Sequence, residues 1–510
     1  MSVRIRPMEN KLSAITEKRK LKWVYILSAV FVLLNVVFIV NEFFWFSLLP
    51  IALLILVMFF FALDRLLLFI TFLTPIAINI EDFNNNVALS LPTEPLLFGI
   101  LCLFFVKVIF DKELIPGKLI RHPVSIAILI YLLWMLITSI TSELPLVSFK
   151  FLIARLWFII PFYFLMTLVF RKIRFIKVNA WMYTLPLIGV IAFSTYNLII
   201  WGFDENAAHW VMSPFYNDHT AYGAAIALFV PVIFALMFLN RTGKTERWLL
   251  FAAFIILLTG LILSYSRAAW ISVIACLAVA IAFILKIRFR WVMVIFLVLA
   301  GLFYSFEQQI FWKLEKNKQD ASVNIAEHVQ SISNISSDAS NLERLNRWNA
   351  AIRMFEQRPF WGWGPGTYQF LYAPYQLSKD KTIISTNAGD RGNAHSEYIG
   401  PMTEQGIPGL LTVLGILGTV IWTTVRVWKR AVSRDVRIIA LAFFLGLVTY
   451  YTHGILNNFL DTDKASVPFW AFIAVIVSLD LFQEKRKDLC EEKTVEQPEQ
   501  DKNSGKTSES

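Results

Sequence analysis

Charge is what this chain has least of. Asp, Glu, Lys and Arg make up only 16% of its 510 residues, against roughly 25% in a soluble domain. That shortage, beside 57% hydrophobic residues with 45 Phe and 17 Trp, excludes a large water-facing enzyme. The mean hydropathy of +0.59 agrees, and an integral membrane protein is the class that remains. Cysteine is scarce too. Cys102, Cys276 and Cys490 are isolated, and the first two lie inside apolar runs, so neither a disulfide framework nor a cysteine metal site is indicated. HExxH, GxSxG, P-loop and CxxC patterns are absent, which removes support for zinc protease, serine hydrolase and NTPase readings. The net charge of +10 does not point to nucleic acid, because the basic residues cluster at the ends of apolar runs. A cleavable signal peptide is not apparent either. The basic stretch Lys11 to Lys22 precedes an apolar run too long for an h-region, so a retained anchor is expected.

What is present is a series of apolar runs near the length of about 20 residues that a spanning helix needs. They fall at 23–41, 43–63, 66–80, 95–110, 124–141, 151–170, 180–201, 220–239, 248–264, 268–285, 291–306, 407–427, 437–455 and 467–482. The run at 66–80 is interrupted by Pro75. The expected fold is all-α: a polytopic membrane bundle of about 12–14 helices with one large, partly helical extracytoplasmic loop. Basic residues mark the cytoplasmic side. Loops rich in Lys and Arg alternate with the loops 81–94, 202–219, 264–267 and 457–466, which hold almost none. The resulting division is a cytoplasmic basic N-terminus (1–22), membrane helices (23–306), an outside loop (307–406), further membrane helices (407–482) and a cytoplasmic tail (483–510). The tail from Glu484 is rich in Lys, Glu and Ser, and disorder is expected there. Lys313 to Ser340 reads as a lid or a surface-lying amphipathic segment.

The ordered part of the outside loop carries most of the candidate chemistry. A capping pattern, Ser340-Asn-Leu-Glu343, starts a helix with an apolar stripe of Leu345, Trp348, Ile352 and Phe355. Arg344, Arg347, Arg353 and Arg358 ride around it. Pro359 stops it, and Trp361-Gly-Trp-Gly-Pro-Gly366 makes a tight turn. Arg391-Gly-Asn-Ala-His-Ser-Glu-Tyr398 and Glu404-Gln-Gly-Ile-Pro-Gly409 then lead back into an apolar helix. His395, two residues from Glu397, can take a proton from a hydroxyl near neutral pH, or it is simply exposed. Arg267, at an outside hairpin tip, is either a snorkelling anchor or a fork for phosphate oxygens. Arg155, inside an apolar run, is either a helix-end arginine reaching the interface or one kept for a ligand at a cost of several kcal/mol. His219 stands where Asn217 or Asp218 would cap a helix. Asp461 and Asp463 could position a basic partner. His209, His328 and His453 form no pattern.

The order of these motifs resembles the O-antigen ligase / O-antigen polymerase superfamily of bacterial membrane glycan transferases. The resemblance rests on Ser266-Arg267, Arg347-Trp-Asn-Ala-Ala351, Pro359 to Gly366, Ala394-His-Ser-Glu-Tyr398 and Glu404 to Gly409. It is most specific over 260–411. It implies a metal-independent, inverting glycosyltransferase of the inner membrane with no cofactor. The donor would be an undecaprenyl-diphosphate-linked glycan and the acceptor lipid A-core or another glycan. His395 matches the family's loop histidine and would be the catalytic base. Arg267 matches the hairpin arginine, and Arg155 and Arg347 join it on the donor diphosphate. Glu397, Glu404, Arg391 and His219 are supporting. The sequence has Ala-His-Ser-Glu where many relatives have His-Asn. A polymerase joining lipid-linked repeats is an alternative, as are a flippase for the same lipid-linked glycan and a multi-span peptidoglycan glycosyltransferase. Charges that collect at one edge favour an enzyme over a flippase.

The alternation of basic loops places 307–406 outside the cytoplasm. A cysteine introduced at Ser337 should react with a membrane-impermeant thiol reagent in intact or outer-permeabilised cells. Labelling only after inner-membrane lysis would reverse the orientation.

Overall fold

The computed structural model describes residues 6–80, 89–111, 114–240, 242–287, 342–378, 381, 385 and 392–495. The expected run at 291–306, the segment Lys313 to Ser340, His328 and Arg391 lie outside the described residues. Among the described residues, 11 helices are long and apolar enough to cross a membrane. The protein is an all-α polytopic membrane bundle; among the described residues one short strand pair occurs, Ile78–Ile80 antiparallel to Leu89–Leu91.

The chain divides into two compact units, Met1–Leu66 and Leu67–Ser510. In the first, Arg6–Val40 carries the apolar span Leu21–Val40, followed by a 3-10 turn at Phe44–Leu48 and the helix Leu49–Phe61. Phe46 stacks on Phe31 at 5.4 Å, and Ser47 donates to Asn35 Oδ1 at 2.9 Å. Two expected spans are shorter than a crossing requires. The run at 43–63 forms the 16-residue apolar stretch Phe46–Phe61. The run at 66–80 ends its helix at Leu73, because Pro75 sits in a 3-10 turn and the chain goes on into a strand.

In the second unit the central element is Asp463–Phe482, 89% of whose apolar window is buried, against 22% for Arg267–Ile284. Around it pack His219–Leu236, Arg434–His453 and Pro145–Val169. Phe472 is the hub: its ring lies 4.7 Å from Phe443 and 5.1 Å from Phe229, which stacks on Tyr183 at 4.4 Å. Lipid tails are as apolar as leucine, so such helices associate through close packing at small residues. Gly446 provides that contact, since a Cβ there would meet Leu228 O and Phe472 at 2.6 Å. At the other end of the helices from the 342–398 segment, Asp480 accepts from Arg426 at 2.8 Å and lies 3.1 Å from His122. The last helix continues to Val495, into the stretch expected to be disordered. Its Glu, Lys, Arg and Leu residues favour helix continuation.

Adding one methyl at Gly446 overpacks this seam, and overpacking costs about 1–3 kcal/mol. Gly446→Ala should lower the melting temperature in detergent by several degrees. Gly418→Ala, where a Cβ meets nothing within 4 Å, should leave it unchanged. Equal behaviour of the two variants would disprove the close contact.

Candidate functional site

The loop helix spans 342–357. Its buried face is not the expected stripe. Ala350, Ala351 and Met354 are buried while Ile352 is exposed. The small residues allow close approach to Tyr368, Tyr372 and Ala394, with Trp363 and Tyr375 at the edge, and this leaves the bulkier apolar side chains on the other side. The turn after the helix is tied to the membrane helices. Trp361 stacks on Trp134 at 5.5 Å, Arg358 pairs with Glu143, and Ser148 Oγ donates to Pro365 O at 2.9 Å. Gly364 holds φ +111, a region L side chains avoid, and donates its N–H to Glu404 O at 2.7 Å. The Glu404 carboxylate accepts from Gly366 N (2.9 Å) and Tyr368 N (3.0 Å), so it staples the turn. Gly406, at φ 70 and ψ −170, breaks the long helix Ile399–Arg430 where its backbone passes Phe360 O.

One group of charges gathers between the loop and the ends of three spans. Asp218 caps Thr220 N (2.7 Å) and Ala221 N (2.8 Å), as the capping alternative for this stretch expected. His219 follows it, with its ring 4.1 Å from that of His209. Arg344 lies within electrostatic range of Asp218, His219, His395 and His453. His453 lies beside the Ala268 backbone, and Gly223 packs on Ser266 and Ala269. The hairpin tip carrying Arg267 therefore adjoins the same group. Arg267 itself is exposed at the first position of Arg267–Ile284, whose start is capped by Ser266. Arg347 is buried: Nε donates to Glu343 Oε1 at 2.8 Å, and the guanidinium lies 4.6 Å over Tyr372. Burial raises the Glu343 carboxyl, but hydrogen bonds from Ser385 and Arg347 outweigh it and hold it below the usual range.

His395 is half-buried and adopts φ 47, with its N–H on Asn393 Oδ1 at 3.1 Å. A non-glycine residue held there carries strain of about 1–2 kcal/mol that fixes the side chain's direction. Burial, then the positive charges of Arg344 and Arg347, push its pKa down to about 4, against partial opposition from Asp218 and Glu343. The imidazole is neutral at pH 7. Next in sequence, Ser396 is buried and accepts from Tyr398 N and Ile399 N at 3.3 Å.

A second group lines a cavity of about 640 Å³ on the other side of the 393–398 segment. Its walls include Arg155, Glu397, Glu404 and Asp461, but not His395, Arg267, Arg347 or His219. The helix holding Arg155 starts at Pro145, six residues before the expected run, so Arg155 lies almost three turns inside it. It donates to Asp461 Oδ1 at 2.5 Å and to Leu460 O. Asp461 is thus placed against a basic partner, one of the roles its sequence position suggested. Glu397 Oε1 accepts from Tyr450 OH (2.6 Å), Phe459 N (2.9 Å) and Leu460 N (2.9 Å). Burial nonetheless raises the Glu397 carboxyl above its ordinary range, with Arg155 opposing. Beside the cavity, Lys464 is buried on Thr74 O (2.5 Å) and Ala77 O (2.7 Å), and Asp463 accepts from Thr93.

Residues 252–414 match the O-antigen ligase family model, Wzy_C. The match makes this segment, about a third of the chain, similar to that family. A comparison with curated proteins found no match. The matched segment contributes Arg267, Arg344, Arg347, His395, Glu397 and Glu404, while Arg155, Asp218, His219, His453 and Asp461 come from outside it. Sequence reasoning left Arg344 out of the site, although its i, i+3 spacing to Arg347 puts the two on neighbouring positions of one helix face. His453 and Tyr450 give no local signal, since each ends up beside the loop through a separation of more than 50 residues. Among the described residues, no three His, Cys, Asp or Glu side chains are grouped to hold a metal ion.

The lowered His395 pKa has a definite sign. Folding opposes protonation, so the native state is favoured most above about 6.5, and that preference is lost as pH falls through about 4. In nitrogen-15 histidine-labelled protein, the imidazole signal that His395→Ala removes should titrate well below pH 6. A midpoint at 6.5 or higher would contradict the desolvated, arginine-flanked setting.

Proposed function

We propose that the protein transfers a glycan from an undecaprenyl-diphosphate carrier to an acceptor hydroxyl at the outer face of the inner membrane, as an O-antigen ligase acting on lipid A-core. The observation that carries this reading is that the O-antigen ligase segment supplies both a neutral, strained histidine and a group of arginines at one end of the bundle. An acceptor hydroxyl needs a base, and a diphosphate leaving group needs its charge neutralised; arginines can do this without a metal. His395 takes the hydroxyl proton on its free ring nitrogen. The acceptor oxygen then bonds to the anomeric carbon as the carbon–oxygen bond to the diphosphate breaks. Undecaprenyl diphosphate leaves with the electron pair, and attack from the opposite face inverts the centre.

Arg267 holds the diphosphate. Its position at a helix N-terminus adds the dipole of that end to its own charge. Arg344 and Arg347 complete the positive surround of His395. An arriving diphosphate would offset the charges that depress His395, strengthening it as a base when the donor is bound. Arg155 does not belong to this set in our reading, because Asp461, Glu397 and Glu404 surround it with negative groups.

Arg267→Lys loses the fork and should lose most transfer, and Arg267→Ala should also weaken donor binding. His395→Ala should leave donor binding nearly intact while single-turnover transfer falls by about 10²–10⁴-fold. His395→Gln, which keeps a hydrogen bond but takes no proton, should be nearly as poor. Near wild-type transfer by His395→Gln would reduce the residue to positioning.

A further inference from the structure

The turn that follows the loop helix is apolar where a water-facing turn is ordinarily polar. From Pro359 to Gly366 it carries Phe360, Trp361 and Trp363 and not one charged side chain. Phe360 is 54% exposed and Trp361 47%. This exposure does not come from slackness. Gly362 holds φ +67, and a Cβ there would collide with the backbone of Glu404 and Gln405. Ile407 N donates to Pro359 O at 2.8 Å. Trp134 stands against both exposed rings, stacked on Trp361 at 5.5 Å and edge-on to Phe360 at 5.6 Å. Its own Nε1 donates to Gln405 O at 2.9 Å. Two large apolar side chains are therefore held outward by a turn that is pinned to the spans on both sides.

Their place along the spans says what they meet. Trp134 lies six residues before the end of the span Pro123–Ile140, which at 1.5 Å per residue is about 9 Å inside it. Beyond that end Glu143 pairs with Arg358, the residue just before the turn, and makes a polar rim. Below the rim the two rings continue the exposed flanks of both spans. Ile130 and Leu133 are exposed on one, and Ile407, Leu411 and Leu414 on the other. The second set is spaced i, i+4 and i+7, which is one face of a helix. An exposed apolar patch of this kind marks a protein or membrane contact. Here it is continuous with flanks that a polytopic bundle turns toward acyl chains, and aromatic rings are the side chains favoured at the border of the hydrocarbon.

We infer that Phe360 and Trp361 form a lipid-binding wedge: the turn dips beneath the Arg358–Glu143 rim and seats both rings among the acyl chains of the leaflet nearest the 342–398 segment. The partner is the bilayer, because the patch lies below the helix end and joins two lipid-facing flanks. The wedge sets the height of the loop helix on the membrane, since Arg358, at the end of that helix, leads directly into it. It does not depend on the glycan-transfer reading.

The test compares two relaxation agents on the purified full chain in lipid nanodiscs: dissolved oxygen, which concentrates in the hydrocarbon, and a water-soluble nickel chelate, which stays out of it. Trp361 is read in the native chain labelled with 5-fluorotryptophan, as the fluorine signal that Trp361→Phe removes. Phe360 is read separately, by a nitroxide on Phe360→Cys in a chain whose Cys102, Cys276 and Cys490 are replaced by alanine. Leu411→Cys serves as the lipid-facing comparison and Glu356→Cys, exposed on the loop helix, as the water-facing one. Oxygen should relax both Trp361 and the label at 360 more than the chelate does, as at 411, with the order reversed at 356. A stronger effect of the chelate at 360 or 361 puts the turn in water and overturns the inference. Shielding of both positions from both agents shows them covered by protein, a second copy of the chain included, and overturns it equally. The fluorine measurement stands even where Phe360→Cys fails to fold.

Discussion

A guanidinium buried inside an apolar helix cannot be left unmatched, and one end of this bundle is arranged around that requirement. Arg155 lies nearly three turns into its span and is satisfied from the connector before the last helix, through Leu460 O and Asp461. The same connector presents Phe459 N and Leu460 N to Glu397, which also accepts from Tyr450. One stretch of backbone therefore serves a cation from one helix and a carboxyl from the loop. The loop is thereby docked on the helices at a defined height, with the 393–398 segment between two chemically different spaces.

The two spaces differ in the charge and side chains they present. Toward Arg344 and Arg347 the field is positive and His395 is kept neutral. Toward Arg155 the cavity is lined by Glu94, Glu397, Glu404 and Asp461 together with Lys150 and the rings of Trp157 and Trp470. Small conformational constraints keep the partition in register. The turn Trp361–Gly366 depends on Glu404 accepting two backbone N–H groups, and Gly406 lets the chain turn from that staple into the membrane helix.

Much of this was legible from residue order. Apolar runs announced the spans, and Asp218 announced its cap. The motif order around Arg267, His395 and Glu404 pointed to the same segment that matches the O-antigen ligase family. The errors have physical sources. The loop helix buries Ala350 and Ala351 rather than the bulkier stripe, because close approach to two stacked tyrosines favours small residues over large ones. Arg155 was read near a helix end because Pro145, a helix-starting residue at the first turn, lies before the uninterrupted apolar run.

Hydrophobicity along the chain by itself determined that this protein lives in a membrane, because transfer of each apolar run into lipid is a local property. Residue type and spacing likewise determined which side chains could bear charge or move a proton. Only the tertiary structure decided that Arg155 pairs with Asp461 and that Arg344 stands near His395. Those pairings join residues up to about 300 positions apart, and in an apolar medium it is the partner found across that distance, not the residue itself, that sets what a buried polar group can do.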